Sequence, residues 1–324
     1  MNSKLIFILI FFLSPTLILA QEDTKVKTDS SVIITKYFDY LNAIRVFNEL
    51  KDKNKSYYKE YYYDTKTLKE TGVFINGDCF GIWKEFWPNG KLKRQIDYNK
   101  GIITFNDKKA YPHNGYLNKV KLKADSILKS IYSQTFYNKY IIWDINHSNV
   151  STYTIVADWT DSLEMKPNEF LMRYKIKFNG DTYPEIIEFT IDSMGRFKSG
   201  EDIKGLEKLP VNSPKDFKLT ADNSIKIAKQ KGLVETTTSK AESFLKWEYS
   251  KSDDRYHGHF RLNVIIKTKS IKNIKIKGRS TIIDKYDEYV FNPWTGEFIG
   301  MKKMKTYRGW EQNSGSSSGL IPDE

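Results

Sequence analysis

The chain is short of the residues that staple, cut or catalyse. Cys79 is its one cysteine, which excludes any intramolecular disulfide and leaves a buried or half-buried hairpin position as the expected role of a lone thiol without a basic partner. Stability must then come from core burial and sheet pairing. No HExxH, no phosphate-cradling glycine loop and no Gly-x-Ser-x-Gly elbow occurs, so the sequence points away from an enzyme and asks for no cofactor. Beyond the first twenty residues no apolar run approaches the roughly 20 residues of a bilayer span. A transmembrane segment is not expected.

Those first twenty residues are distinct. Lys4 precedes the run "LIFILIFFLSPTLIL", closed by Ala20 with Gln21 and Glu22 following, the pattern of a secretory leader cleaved after Ala20. A periplasmic or secreted protein is predicted, and no cysteine stands at the new N-terminus for lipid attachment. Richness in Lys, Asn, Ile and Tyr suggests an AT-rich bacterial genome. The formal net charge is +12, of which the leader holds only Lys4. Twelve cations against four acids lie between Arg261 and Arg308, making the C-terminal sheet the basic part. Nucleic acid is not an expected partner of an exported chain without a groove-reading motif.

The stretch "GIWKEFWPNGKLKRQIDY", Gly81 to Tyr98, is dense in aromatics and cations. Set beside "KEYYYDTKTLKETGVFING", it shares Lys-Glu, two aromatics, a turn, Leu-Lys, another aromatic and a closing Gly, at a spacing of about 25 residues that marks a repeat and not a single site. Ile82 to Trp87 and Lys91 to Tyr98 read as two strands around a Pro88-Asn89-Gly90 corner, where Asn and Gly tolerate positive φ. Leu92, Ile96 and Tyr98 point one way, and Lys91, Lys93, Gln95 and Asp97 the other. The segment resembles the MORN-variant, antitoxin-like repeat, whose motif positions fall on Gly81, Trp83, Phe86, Trp87, Asn89, Gly90, Leu92 and Lys93. The resemblance covers residues about 57–105, and the first copy departs from it at Asp64-Thr65, where a wider corner is expected. It implies hairpins laid on one another, and a role in scaffolding or binding.

Two helix-plus-sheet units are predicted next. "NKVKLKADSILKSIYSQTF" places Val120, Ile127, Leu128, Ile131 and Tyr132 near one helical stripe. "FKLTADNSIKIAKQKG" offers Thr220 or Asp222 as a cap, Ile225, Ile227 and Ala228 as an apolar side, and Gly232 as a stop. Strands follow each helix: Met172, Tyr174, Ile176 and Phe178 alternate inward in one, and Phe260, Leu262, Val264 and Ile266 in the other. Both units end in a hairpin turning on Gly195 or Gly296, which suggests a weak internal duplication. The second unit resembles PepSY-like, cystatin-related modules, chiefly through its Asn-Pro-Trp-Thr-Gly hairpin; this resemblance implies a peptidase or propeptide partner.

The expected organisation is therefore α+β: leader 1–20, an N-terminal segment 21–56, antiparallel hairpin repeats 57–105, α+β units at 106–212 and 213–310, and a polar, disordered tail 311–324. The expected function is non-enzymatic binding of a protein or anionic envelope component. Candidate contact residues are Trp83, Trp87, Lys84, Lys91 and Arg94 in the repeat, with Tyr61 and Tyr62 beside them for a sugar or anionic headgroup. The run "KTKSIKNIKIKGR", with Lys275, Lys277 and Arg279 on one side, reads either as an anion-binding ridge or as a sheet edge that lysines keep from pairing. Two further readings are a peptidase inhibitor centred on the last unit, and a metal-dependent hydrolase using His257 and His259; no metal is expected otherwise.

Overall fold

The computed structural model describes residues 23–38, 43–50, 54–178, 181–198, 203–207, 216–249, 258–276, 279–311 and 314–323. The predicted leader lies outside them. None of the described helices is long and apolar enough to cross a membrane. The chain divides into two compact units, one running to Asp97 with Thr104–Asp107, the other comprising Tyr98–Ile103 and the chain from Lys108 on.

The first unit is built on an antiparallel sheet in which every strand lies beside its neighbour in sequence: β1 (Thr24–Lys27), β2 (Ser31–Phe38), β3 (Ala43–Leu50), β4 (Lys55–Tyr62), β5 (Leu68–Ile75), β6 (Asp78–Phe86), β7 (Leu92–Asp97) and β8 (Ile102–Phe105), the last of which begins in the Tyr98–Ile103 segment. Turn chemistry sets this order. Asn76 and Gly77 both take positive φ, 53° and 90°, and close β5 onto β6 as a two-residue turn that only such residues adopt without strain. At the Pro88-Asn89-Gly90 corner only Gly90 has positive φ. The expectation for Asn89 is corrected: its Oδ1 accepts the Lys91 N–H at 3.0 Å, an Asx turn that holds Asn89 in ordinary backbone space. The first copy's corner is indeed wider. Tyr62 N–H bonds Thr67 O where Trp87 N–H bonds Lys91 O, and Lys66 takes the positive φ that Gly90 takes in the second copy.

Register proves the two hairpins equivalent. Each has a bulge at the same place, between Glu60 and Tyr61 opposite β5 and between Glu85 and Phe86 opposite β7. The bulge residue is Lys69 in one and Lys93 in the other, and each reaches the glutamate across, Glu60 at 2.6 Å and Glu85 at 2.7 Å. The pattern also begins earlier than residue 57. Lys36, Tyr37 and Phe38 on β2 stand as Glu60, Tyr61 and Tyr62 do on β4, and Lys36 pairs Arg45 as Glu85 pairs Arg94. The motif glycine and Asn-Gly are missing from that hairpin, which hides it from motif reading.

The second unit begins with α1 (Asn114–Tyr132) and α2 (Gln134–Tyr140), followed by β9 (Ile141–Trp143), β10 (Asn149–Ser151), β11 (Val156–Asp158), β12 (Glu169–Phe178) and β13 (Asp181–Asp192). These strands pair in the order β11-β10-β12-β13, with β9 also on β12. α1 buries Leu117, Val120, Ala124, Leu128 and Tyr132; Ile127 and Ile131 of the expected stripe are only half-buried. The alternation on β12 is as read from the sequence, with Met172, Tyr174, Ile176 and Phe178 buried.

α3 (Ala221–Gln230) starts at Thr220, whose hydroxyl accepts the Asn223 N–H, and precedes β14 (Glu242–Tyr249), β15 (Gly258–Ile276), β16 (Arg279–Phe291), β17 (Phe298–Glu311), β18 (Ser314–Ser317) and β19 (Ile321–Pro322). The sheet order is β14-β15-β16-β17-β18, with β19 also on β17. Phe260, Leu262, Val264 and Ile266 face the core as predicted. The tail departs from expectation. Ser314–Ser317 and Ile321–Pro322 pair with β17, because its outer edge carries unpaired backbone groups that even a Ser/Gly segment satisfies.

One core serves both helix-plus-sheet halves. Tyr132 and Phe136 from the first half meet Phe217 and Trp294 from the second, with ring centroids 4.6 to 5.9 Å apart. Glu207, 5% exposed, accepts the Trp294 Nε1–H at 2.8 Å and the Phe260 N–H, while its own N–H bonds the Tyr132 hydroxyl. A buried carboxylate needs such a set of donors.

Candidate binding surface

On one face of the hairpin sheet, alternation lines up two rows of side chains across the strands. The apolar row runs Ile34, Phe47, Tyr58, Gly72, with Trp83 lying over Gly72 and Ile96 opposite Trp83. Gly72 leaves the space that the Trp83 ring fills. Tyr58 stacks on Trp83 at 5.3 Å and Phe74 meets it edge-on at 4.8 Å. The charged row runs Lys36, Arg45, Glu60, Glu70, Glu85, Arg94, each directly opposite the next.

Beyond the apolar row, at the end of the sheet bearing the Asn76-Gly77 turn, the same face opens into a groove of about 770 Å³. Phe47 and Phe74, near-parallel with centroids 6.4 Å apart, form its floor with Val32. Glu49, Asn54, Lys55, Ser56 and Asn76 supply polar groups around it. Asn76 N–H bonds Asn54 O at 2.8 Å, tying the Asn76-Gly77 turn to the residue that precedes β4. Aromatic faces below hydrogen-bonding groups suit a ligand with alternating apolar and hydroxyl-bearing surface.

The sequence-predicted residues do not converge. Trp83 is 4% exposed and donates Nε1–H to Val73 O at 3.1 Å, so it belongs to the packed aromatic layer and not to an open contact surface. Arg94 is drawn into an ion pair with Glu85 at 2.5 Å. Lys84 is exposed on the opposite face, in the row with Thr71 and Lys59. Trp87 and Lys91 sit at the hairpin corner, Trp87 half-buried with the Lys93 ammonium 4.7 Å from its ring centre. Tyr62 gives its hydroxyl proton to Phe86 O.

In the basic sheet, Lys277 lies outside the described residues, and of Lys275 and Arg279 only the backbone is described. β15 pairs with β14 only as far as Ile265, so the cation run from Lys267 follows an edge of β15 with no partner on that side among the described strands. Many of the described cations there are neutralised in place: Lys267 and Arg308 by Asp284, Lys285 and Lys305 by Asp323, Lys302 by Glu248 and Lys303 by Asp287. His257 also lies outside the described residues. His259 Nδ1 is 3.0 Å from Glu207 Oε1, and no group of three His, Cys, Asp or Glu among the described residues is placed to hold a metal.

The charged row shifts its members in opposite directions. Burial works against ionisation of Glu60, yet hydrogen bonds from Lys69 and Tyr58 with the charges of Lys69 and Arg45 outweigh it and hold the carboxyl below its ordinary value. Burial, with Glu85 and Glu60 on either side, pushes Glu70 up to about 7 against the pull of Arg94. Neither this row nor the groove had a signal in the linear sequence, because both are products of cross-strand register. A comparison of the chain with protein-family models, curated proteins and solved structures finds no match.

Proposed function

We propose that this chain is an exported, non-enzymatic binding protein of the bacterial envelope, whose hairpin repeat holds an envelope saccharide in the groove floored by Phe47 and Phe74. The groove carries the reading. It keeps two aromatic rings half-exposed where the neighbouring Tyr58 and Trp83 are covered, and it surrounds them with Asn, Ser, Glu and Lys side chains, the polar complement that fixes a sugar ring lying on an aromatic face. A nucleophile, base and orienting group are not required for such a role.

Isothermal titration of the secreted-length protein with soluble amino-sugar oligosaccharides tests it. Phe74→Leu keeps the apolar contact with Trp83 but removes the flat ring, and is expected to weaken binding about tenfold or more, as is Glu49→Gln to a smaller degree. Retention of full affinity by both variants, or absence of any heat with wild type while anionic vesicles capture it, overturns the assignment.

A further inference from the structure

The charged row of the hairpin sheet has one unbalanced member. Glu60 is held by Arg45 at 2.9 Å, Lys69 at 2.6 Å and the Tyr58 hydroxyl. Glu85 is held by Lys93 at 2.7 Å and Arg94 at 2.5 Å. Glu70 stands between them in register, opposite Glu60 on β4 and Glu85 on β6, half-buried and with no ion pair of its own among the described residues. The repeat shows why the position is anomalous. The residue equivalent to Glu70 is Arg94 in the next hairpin, where it faces Glu85, and Arg45 in the preceding one, where it faces Lys36 within the hairpin and Glu60 across the next ladder. In the middle hairpin a third carboxyl replaces the cation, on β5, the strand shared by two ladders.

We propose that Glu70 is a proton-operated latch: protonated, it hydrogen-bonds one of its two carboxylate neighbours and keeps β5 closed between β4 and β6, and deprotonated, it loosens that strand. A protonated Glu70 donates one hydrogen bond to Glu60 or Glu85, as two carboxyls in contact share a single proton. Loss of that proton leaves three adjacent carboxylates across three strands, and like charges directly opposite destabilise a ladder. The groups facing Glu70 are Glu60, Tyr58 and Tyr62 on β4, Lys69 on β5, Glu85 on β6, Arg94 and Lys93 on β7, and Arg45 on β3 with Lys36 beyond it on β2. Burial pushes the Tyr58 and Tyr62 hydroxyls upward, and Glu60 lies below its ordinary value. Glu70 is the carboxyl displaced towards neutrality, to about 7.

The direction follows from linkage. The open strand releases its proton near the ordinary value of 4.5 and the closed strand only near 7, so the open form gains as pH rises between those values and gains nothing further above them. A displacement of that size amounts to about three hundredfold in the opening equilibrium over its full range.

Hydrogen exchange of peptides spanning Lys55–Phe86, measured on the secreted-length chain from about pH 5 to pH 8 and corrected for intrinsic exchange, tests the latch. In wild type the opening equilibrium is expected to rise about a hundredfold over that range. In Glu70→Gln, which keeps the size and loses the charge, it is expected to stay flat, and in Glu70→Arg, which restores the pattern of the neighbouring hairpins, it is expected to stay flat and lower. Equal pH dependence in wild type and Glu70→Gln overturns the proposal. So does a Glu70 carboxyl ¹³C midpoint near 4.5.

Discussion

Gly72 and Trp83 occupy one place between them. A Cβ built on Gly72 would lie 2.1 Å from the indole ring atoms, so Gly72→Ala must displace a ring that is held by Tyr58, Phe74 and a hydrogen bond to Val73 O. Overpacking of this kind costs about 1–3 kcal/mol or more, and truncation of the ring in Trp83→Ala about 3–5 kcal/mol; urea denaturation followed by circular dichroism measures both. The pair recurs in the second unit, where a Cβ on Gly258 would lie 2.3 Å from Trp247. Asp284 makes a different demand. Burial opposes its ionisation, but Lys267, Ser270 and Arg308 at 2.6–2.7 Å outweigh that and hold it down to about 2. A depressed carboxyl contributes stability that is fully present above its ordinary 3.8 and is lost as pH falls towards 2. Asp284→Asn, which leaves two cations without their carboxylate, is expected to cost about 3 kcal/mol at pH 7 and to flatten the acid limb of the stability profile between about pH 4 and 2.

At the scale of elements, what the sequence revealed was whatever depends on near neighbours. The alternation of β12 and β15 is a period of two, so Met172 to Phe178 and Phe260 to Ile266 were assigned to the core without knowledge of their partners. The Thr220 cap and the Gly195 and Gly296 turns are equally local. The groove and the carboxylate row depend on register instead. Bulges at Lys69 and Lys93 decide which residues face each other, and nothing in a single strand announces a bulge. Glu207 was invisible for a related reason, since its partners Tyr132, His259 and Trp294 are distant in sequence. The tail was misread because composition describes a segment alone, whereas Ser314–Ser317 is ordered by the open edge of β17. Asp323 adds a charge contact, to Lys285 at 2.7 Å and Lys305 at 3.4 Å. Removing residues after Glu311 is expected to raise hydrogen exchange along β17 at Met304 to Arg308, and to promote self-association through the bared edge; size-exclusion chromatography reads the second effect. An unchanged elution volume and unchanged exchange would show that the tail strands contribute nothing to β17.

At the scale of the molecule, the two compact units have separate means of stability. The hairpin sheet rests on a layer of cross-strand aromatics and ion pairs, and its ladders join neighbours in sequence. The second unit encloses a helix-backed core in which Leu128, Phe170, Ile187 and Phe260 are fully buried. A chain built this way departs from all-or-none unfolding, so urea is expected to produce two transitions. Leu128→Ala creates a cavity in the second core and should shift one of them by about 2–5 kcal/mol, leaving the other in place. Glu70→Gln should do the converse: no effect near pH 5, where the wild-type carboxyl is protonated, and stabilisation of the hairpin transition near pH 8, where it is not. Trp83 fluorescence, isolated by replacing Trp87 with Phe and comparing against Trp83→Phe, assigns that transition to the sheet. Should Leu128→Ala and Glu70→Gln move the same single transition, the two units unfold as one, and the pH dependence of the hairpin sheet is then a property of the whole chain.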